Sequence, residues 1–409
     1  MRVSHASLKP HPGIGLVMRR VQAIYRLTGI VCCLVIATLA LIGRSHAQEQ
    51  DYQSKALQAI LIDARTGRVL YEKDANTAIP PASMSKLMTM IMVFEGLKDG
   101  KLTLDQEFVI SEDAWRRGGA SSGGSTMYAE LNSRIKLSDL VRGVVVQSAN
   151  DACIAIAEGM SGSEASFAKE MTARAHELGA TKAIFRNATG LPDVDHRMSV
   201  RDLSILARYI ITNFPEYYSY YSIPDFTWNK INQKNRNPLL KDYPGADGMK
   251  TGYTREAGYG MVGSASRDSR RLIMVIAGLK SINERKREAQ DLLDWGFRQF
   301  RSIDVYAKGD RVGAARVWGG VETSVDLVAS ENVRIALTAS EQEVVEMKLA
   351  YEGPLMAPVE AGIRAGSVRF IVDGLTVADV PVETAAAVPA DESMWSRALD
   401  SIVIMIFGS

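Results

Sequence analysis

Hydrophobic and polar positions divide this chain into blocks of different period. Leu57 to Ile62 is apolar apart from Gln58, Asp63 to Arg68 carries turn residues, and Val69-Leu70-Tyr71 resumes the apolar run. That pattern predicts a strand, a turn and a strand. After Pro80-Pro81-Ala82, the residues Met84, Leu87, Met88, Ile91 and Met92 recur at helical spacing, with Gly96 and Gly100 near the end. They predict a helix over 84–97 with a Met-rich core face. Further helical periods run over 137–147, 151–160, 166–178 and 201–212, and a last one over 283–300. Apolar runs at Gly258–Ser266 and Leu272–Gly278, split by the polar turn Arg267-Asp268-Ser269-Arg270, predict two late strands. Strands at both ends with helices between them predict an α/β sandwich in which early and late strands share one sheet.

Beyond Arg301 the period shortens. Arg311–Val317, Val325–Leu327, Val333–Leu337, Val344–Leu349, Val368–Val372 and Leu375–Val382 are short β-type runs separated by Gly and polar turns. They predict a small all-β domain over 301–388, with 385–389 as a linker. In the tail, Met394, Trp395, Ala398, Leu399, Ile402, Val403, Met405 and Ile406 share one broad helical face. Only about six residues there are continuously apolar, too few to span a bilayer. The tail, 389–409, therefore reads as an amphipathic helix lying on a membrane surface. A helix docked on the protein's own core is the alternative.

The first 47 residues stand apart. They hold six Lys/Arg, no Asp or Glu, an apolar run from Leu27 to Ile42, and then Ser45-His46-Ala47. Basic start, apolar centre and small-x-small end predict a secretory signal peptide cleaved after Ala47. The remainder would carry 42 basic and 47 acidic side chains. A nucleic-acid surface needs clustered excess Lys/Arg, so that function class is excluded. Cys153 alone would survive processing, so no internal disulfide is expected. It sits in the apolar stretch 152–157, which predicts a buried thiol. His176 and His196 make no zinc pattern, and neither metal nor cofactor is expected.

Three short motifs follow in order. Ser83-Met84-Ser85-Lys86 is S-x-x-K, Ser148-Ala149-Asn150 is S-x-N, and Lys250-Thr251-Gly252 is K-T-G. Each alone has a plain reading: a helix cap after prolines, a helix break, a turn. Together they form the set found in penicillin-binding proteins and class A β-lactamases. A serine hydroxyl is a weak nucleophile and needs a base. In a helix starting near Ser83, Lys86 lies one turn on and can reach the Ser83 oxygen. It must be neutral part of the time, which burial and a nearby cation such as Lys250 favour. Ser148 can relay a proton toward the leaving amine. Asn150 can orient Lys86 or the substrate amide. Lys250 and Thr251, placed just before an expected edge strand, can bind the carboxylate of a peptide laid along it.

The likeness extends past the triplets. Residues 81–89, 146–152 and 247–254, with Ala257-Gly258-Tyr259, Gly190-Leu191-Pro192 and Ser199–Asp202, resemble the D-alanyl-D-alanine carboxypeptidases, the low-molecular-weight penicillin-binding proteins. The resemblance covers roughly residues 55–300 specifically, and the rest more loosely. It implies a penicillin-binding, β-lactamase-like transpeptidase domain (48–300), followed by the all-β domain and the tail helix. It implies an acyl-enzyme on Ser83, an oxyanion hole from the backbone N–H groups of Ser83 and Tyr253, and Arg236 beside Lys250, Thr251 and Gly252 at the substrate carboxylate. Peptidoglycan stem peptides would be the substrate, β-lactams covalent inhibitors, and the periplasmic face of the membrane the location. Ala149 departs from the Gly of many members. The small-residue stretch 118–125 is expected to border the cleft; as a phosphate loop it lacks the Gly-Lys-Ser/Thr ending. An endopeptidase on the same machinery, a β-lactamase and a non-catalytic penicillin-binding scaffold are the alternatives. The β-lactamase reading lacks a Glu in an E-x-x-x-N context at Glu158, Glu164, Glu170, Glu177 or Glu216.

Overall fold

The computed structural model describes residues 52–391. The predicted signal segment 1–47 and the tail from 392 on lie outside the described residues.

Early and late strands do share one sheet. β1 (Gln58–Asp63) and β2 (Val69–Lys73) form the opening hairpin. Two small hairpins follow, neither expected from the sequence: β3 (Glu107–Val109) with β4 (Arg134–Lys136), and β5 (Asp225–Trp228) with β6 (Ile231–Lys234). Strands of three or four residues are too short to show a period. β7 (Ala246–Thr254), β8 (Gly258–Arg267) and β9 (Arg270–Leu279) complete a five-stranded sheet in the order β2-β1-β9-β8-β7. β1 pairs with β9 antiparallel, so the first strand of the chain sits near the middle. Ile60 and Leu61 of β1 are both fully buried, on opposite faces, which explains their continuous apolar run.

One face of the sheet packs on the helices and the other on the closing helix, Ile282–Gln299. The helix after the S-x-x-K serine runs from Lys86 to Lys98. It is buried nearly all round, since Met90 and Val93, off the expected stripe, are as inaccessible as Leu87 and Met88. A helix apolar on all sides belongs in the centre of a large domain. The quoted stretch Ser199–Asp202 proves to be a capping box. Ser199 Oγ accepts from the Asp202 N–H, and the Asp202 carboxylate accepts from the Ser199 N–H, starting the helix Val200–Asn213.

The β-rich region holds β10 (Arg301–Tyr306), β11 (Arg311–Trp318), β12 (Ser324–Ala329), β13 (Val333–Leu337), β14 (Glu346–Tyr351), β15 (Leu355–Met356), β16 (Arg364–Val372) and β17 (Leu375–Thr384). Six of them join in the order β14-β16-β17-β12-β11-β15, and β10 pairs with β13. Two expectations need correction here. Val344 ends a short helix, Ala339–Val344, that is started by a Thr338/Glu341 capping box; it does not open a strand. Residues 385–389 are not a loose linker. Val388 is buried against Val359, and Val321 N–H donates to the Pro389 carbonyl. Ala385 to Ala387 are exposed, and Val388 pins the stretch through a β-bridge to Val359.

Candidate active site

The three motifs come from three separate elements and meet at the sheet edge. Ser83 lies in a single 3-10 turn, Ala82–Ser85, and Lys86 opens the α-helix behind it. Ser83 makes no capping bond, so its N-cap reading fails. Lys86 Nζ lies 2.9 Å from Ser83 Oγ, 2.8 Å from Asn150 Oδ1 and 2.5 Å from the Thr189 carbonyl. Ser148 adopts a left-handed conformation (φ 64°) and turns the chain from a short π-helical segment, Gly143–Gln147, into the helix Asn150–Ser161. That turn puts Asn150 at a helix start, facing Lys86. The Ser148 hydroxyl is buried and has no hydrogen-bond partner.

Lys86 is fully buried, and burial pushes its ammonium down to about 8; Cys153 opposes the fall and Arg236 adds to it. Lys250 is also buried and held well below its ordinary value, by burial first and then by Lys86 and Arg236. The cation that adds to the fall of Lys86 is thus Arg236, in place of the expected Lys250; Lys86 in its turn depresses Lys250. Lys250 and Thr251 lie within the edge strand β7, not ahead of it, with Gly252 and Tyr253 next along it. Gly252 permits a close approach: a Cβ there would sit 3.0 Å from the Pro81 carbonyl and the Met84 side chain. Gly190 (φ +76°) similarly leaves room for the Ala82 carbonyl, 2.0 Å from where a Cβ would be.

A cleft of about 590 Å³ runs along this edge. Ser83, Ser148, Arg236, Thr251, Gly252 and Tyr253 line it, together with Gly123, Gly124 and Ser125 of the small-residue loop. That loop therefore borders the cleft as expected. Asp151 secures it, accepting from Thr126 Oγ1 and from the N–H groups of Met127 and Ala129. Arg236 Nη1 donates to Ser125 Oγ at 2.5 Å. Asn150, Lys86 and Lys250 lie beneath the cleft floor. Two other surface cavities, of about 570 and 690 Å³, lie between the sheet end and β10 and contain none of the motif residues. Among the described residues, no group of His, Cys, Asp or Glu is arranged to hold a metal, and no helix is long and apolar enough to cross a membrane.

Two groups at the site escaped the sequence reading, the Thr189 carbonyl and Arg285, while Tyr259, quoted there for its likeness alone, lines the cleft. A backbone carbonyl has no sequence signal. Arg285 sits in the charged run Glu284-Arg285-Lys286-Arg287, where its period gives no hint that it alone turns to the cleft.

Comparison with known proteins bears on the family of the chain. The profile of the D-alanyl-D-alanine carboxypeptidase family matches residues 44–281, and that of the penicillin-binding protein 5 C-terminal domain matches residues 300–390. The D-alanyl-D-alanine carboxypeptidase DacF of Bacillus subtilis (strain 168) is 34% identical over 86% of this chain and 90% of its own length. DacC of Escherichia coli (strain K12) is 36% identical over 83% and 86%. Penicillin binding protein 5 from Haemophilus influenzae superposes with a TM-score of 0.75 at 35% identity, over 83% of this chain and 99% of that one. Penicillin-binding protein D2 from Listeria monocytogenes, solved in its cefotaxime-bound form, is 30% identical with a TM-score of 0.55 over 60% of this chain and 99% of that one. With a transpeptidase-like domain and a following all-β domain both matched, this chain belongs to the D-alanyl-D-alanine carboxypeptidase family.

Proposed function

We propose that this chain is a serine-type D-Ala-D-Ala carboxypeptidase that removes the terminal D-alanine of peptidoglycan stem pentapeptides through an acyl-enzyme on Ser83. The observation that carries the reading is the contact between Lys86 Nζ and Ser83 Oγ, 2.9 Å, inside a dry nest that keeps the amine partly neutral. A neutral amine retains two N–H donors for Asn150 Oδ1 and the Thr189 carbonyl. Its lone pair is left for the Ser83 proton.

Attack of Ser83 on the penultimate D-Ala carbonyl forms a tetrahedral oxyanion, stabilised by the Ser83 and Tyr253 N–H groups. Collapse breaks the peptide C–N bond. The proton held by Lys86 passes, by way of Ser148, to the leaving amine, and water then hydrolyses the ester. Lys250, Thr251, Gly252 and Arg236 hold the substrate's carboxylate end. Opening of a β-lactam ring by the same attack leaves a covalent adduct. Glu164, buried in the helical layer, is already paired with Arg117 at 2.8 Å and with the Ala188 N–H at 3.0 Å, so it is not free to activate water on that adduct.

Incubation of the protein with a pentapeptide muropeptide, read by mass, tests the reading. Loss of one alanine is the expected result. Cleavage of cross-linked dimers without alanine loss would instead show an endopeptidase, and no change in either would leave the scaffold reading.

The proposal extends to placement. Residues 1–47 act as the export signal, 48–300 as the catalytic domain and 301–388 as the spacer. Residues 389–409 form the amphipathic helix that holds the protein on the periplasmic face of the membrane. In support, the last described residue, Asp391, donates its N–H to the Gly319 carbonyl, so the tail leaves from the β-rich domain, far along the chain from the catalytic residues. A protein lacking residues 392–409 is expected to move from the membrane to the soluble fraction; a truncated form that still pellets with membranes would sink the anchor.

A further inference from the structure

Strand register decides where the K-T-G residues point. Thr251 and Tyr253 pair with Met261 and Tyr259, which pack on the closing helix, whereas Lys250 pairs with Val262, which packs on the helical layer. Opposed residues of an antiparallel pair share a face. Thr251 therefore stands on the closing-helix side of β7 and lines the cleft. Lys250 stands on the helical side, close enough to Lys86 for the charge of Lys86 to depress it.

That register is not the one with which β7 begins. Ala246 pairs with Ala265 and Gly248 with Ser264, so Asp247 is an extra residue with no opposite number on β8. A bulge of this kind re-aims the side chains beyond it. Without it, counting on from Ala246, Lys250 would fall opposite Met261, toward the closing helix, and Thr251 opposite Gly260.

Asp247 is tied down at that point. Its Oδ1 accepts from the Tyr218 hydroxyl at 2.6 Å and from Arg271 Nη1 at 2.7 Å, and its Oδ2 lies 2.6 Å from Arg271 Nη2. This bidentate fork is the strong form of an arginine–carboxylate pair. Arg271 belongs to β9, two strands away, and its Nη1 also donates to Ser264 Oγ of β8 at 2.7 Å. One guanidinium thus joins three adjacent strands where the register shifts. Tyr218 ends the short helix Pro215–Tyr218 in the helical layer, and the Arg271 guanidinium lies 5.2 Å from its ring. Burial holds the Tyr218 phenol well above its ordinary value, with Asp247 adding to the rise, so it stays a donor. A plain sheet edge needs neither an extra residue nor an ion pair to hold it. Here both stand three residues before Lys250.

The geometry points to Asp247 as a positioning residue for the K-T-G segment. Held by Arg271 and Tyr218, it fixes the bulge that turns Lys250 to the helical side and Thr251 to the cleft. It acts through Lys250 and Thr251, not on the substrate itself. The inference rests on the carboxypeptidase reading and adds the device that aims its carboxylate-binding groups.

The test compares an acylated Lys-D-Ala-D-Ala tripeptide with its C-terminal amide, in the parent protein, Asp247→Ala, Asp247→Asn and Tyr218→Phe, each with a thermal melt. Misplacing a binding group by about 1 Å can cost on the order of a hundredfold in rate. For Asp247→Ala, kcat/KM on the free acid is expected to fall by on the order of a hundredfold. The amide lacks the carboxylate that Lys250 and Thr251 hold. The acid-over-amide preference should therefore shrink by about tenfold, the share of one charge-assisted hydrogen bond. Asp247→Asn keeps an acceptor oxygen for Tyr218 and Arg271 and should regain part of that preference. A tie that only stabilises the sheet predicts a lower melt with the preference intact. An unchanged acid-to-amide ratio in folded Asp247→Ala, or an equal loss on both substrates, would overturn the inference. If Asp247→Ala does not fold, the ratio in Tyr218→Phe decides: a smaller preference than the parent's supports the inference, and an unchanged one overturns it. A parent protein that releases no D-alanine from the free acid would refute the carboxypeptidase reading instead, a separate result.

Discussion

Ser83→Ala is expected to abolish covalent labelling by penicillin and release of D-alanine, while leaving the protein folded. The substitution removes one oxygen from the cleft wall. Lys86 keeps its contacts to Asn150 and Thr189, so a single hydrogen bond is lost, about 1 kcal/mol of net stability. The helix behind is held by the burial of Leu87, Met88, Ile91 and Phe94, which the change does not touch. Chemistry suffers out of proportion. Ser148 is another hydroxyl in the cleft, but the left-handed turn that carries it leaves that hydroxyl without a hydrogen-bonded base. Gel detection of a fluorescent penicillin, alongside a thermal melt, checks both halves. Labelling that persists in a folded variant would refute Ser83 as the nucleophile.

Lys86→Met should lower the acylation rate by on the order of a thousandfold or more, as for one member of a group acting together. The sign of the pH dependence follows from burial. An ordinary lysine near 10.5 is neutral in roughly one molecule in three thousand at pH 7, whereas a value of about 8 raises that to roughly a tenth. Acylation by the parent protein should therefore climb as pH rises and level off above about 8, and the residual rate of Lys86→Met should lack that limb. Stability carries the same signature. Between about 8 and 10.5 the unfolded chain keeps a proton that the native Lys86 has shed, so stability rises with pH across that window. Stopped-flow acylation from pH 6 to 9.5 measures the first effect. A parent profile flat through pH 8 would count against Lys86 as the base.

The nucleophile segment was legible in the sequence because its geometry is local. Lys86 stands three positions after Ser83, and one helical turn brings their side chains together whatever surrounds them. The Ser199/Asp202 cap is of the same kind, satisfied within its own four residues. Sheet and helix periods likewise predicted the α/β layers and the β-rich end. They failed where elements are too short to show a period, as in β3 to β6, and where packing overrode appearance, as at residues 385–389.

What the sequence by itself determined, then, is the chemistry within one turn or one strand: a serine next to an amine, an asparagine at a helix start, a K-T-G run. Tertiary structure alone decided whether that amine is a base. Its value near 8 depends on the loss of water, with Cys153 opposing the fall and Arg236 adding to it, and its acceptors, Asn150 and Thr189, lie 64 and 103 residues from Lys86. Register alone decided that Thr251 faces the closing helix and Lys250 the helical layer, because a shift of one residue would exchange them. Arg285, one charge among several on an ordinary helix, gained its place in the cleft the same way. Desolvation and cross-strand geometry are properties of segments that meet only when the chain has folded, and no local pattern records them.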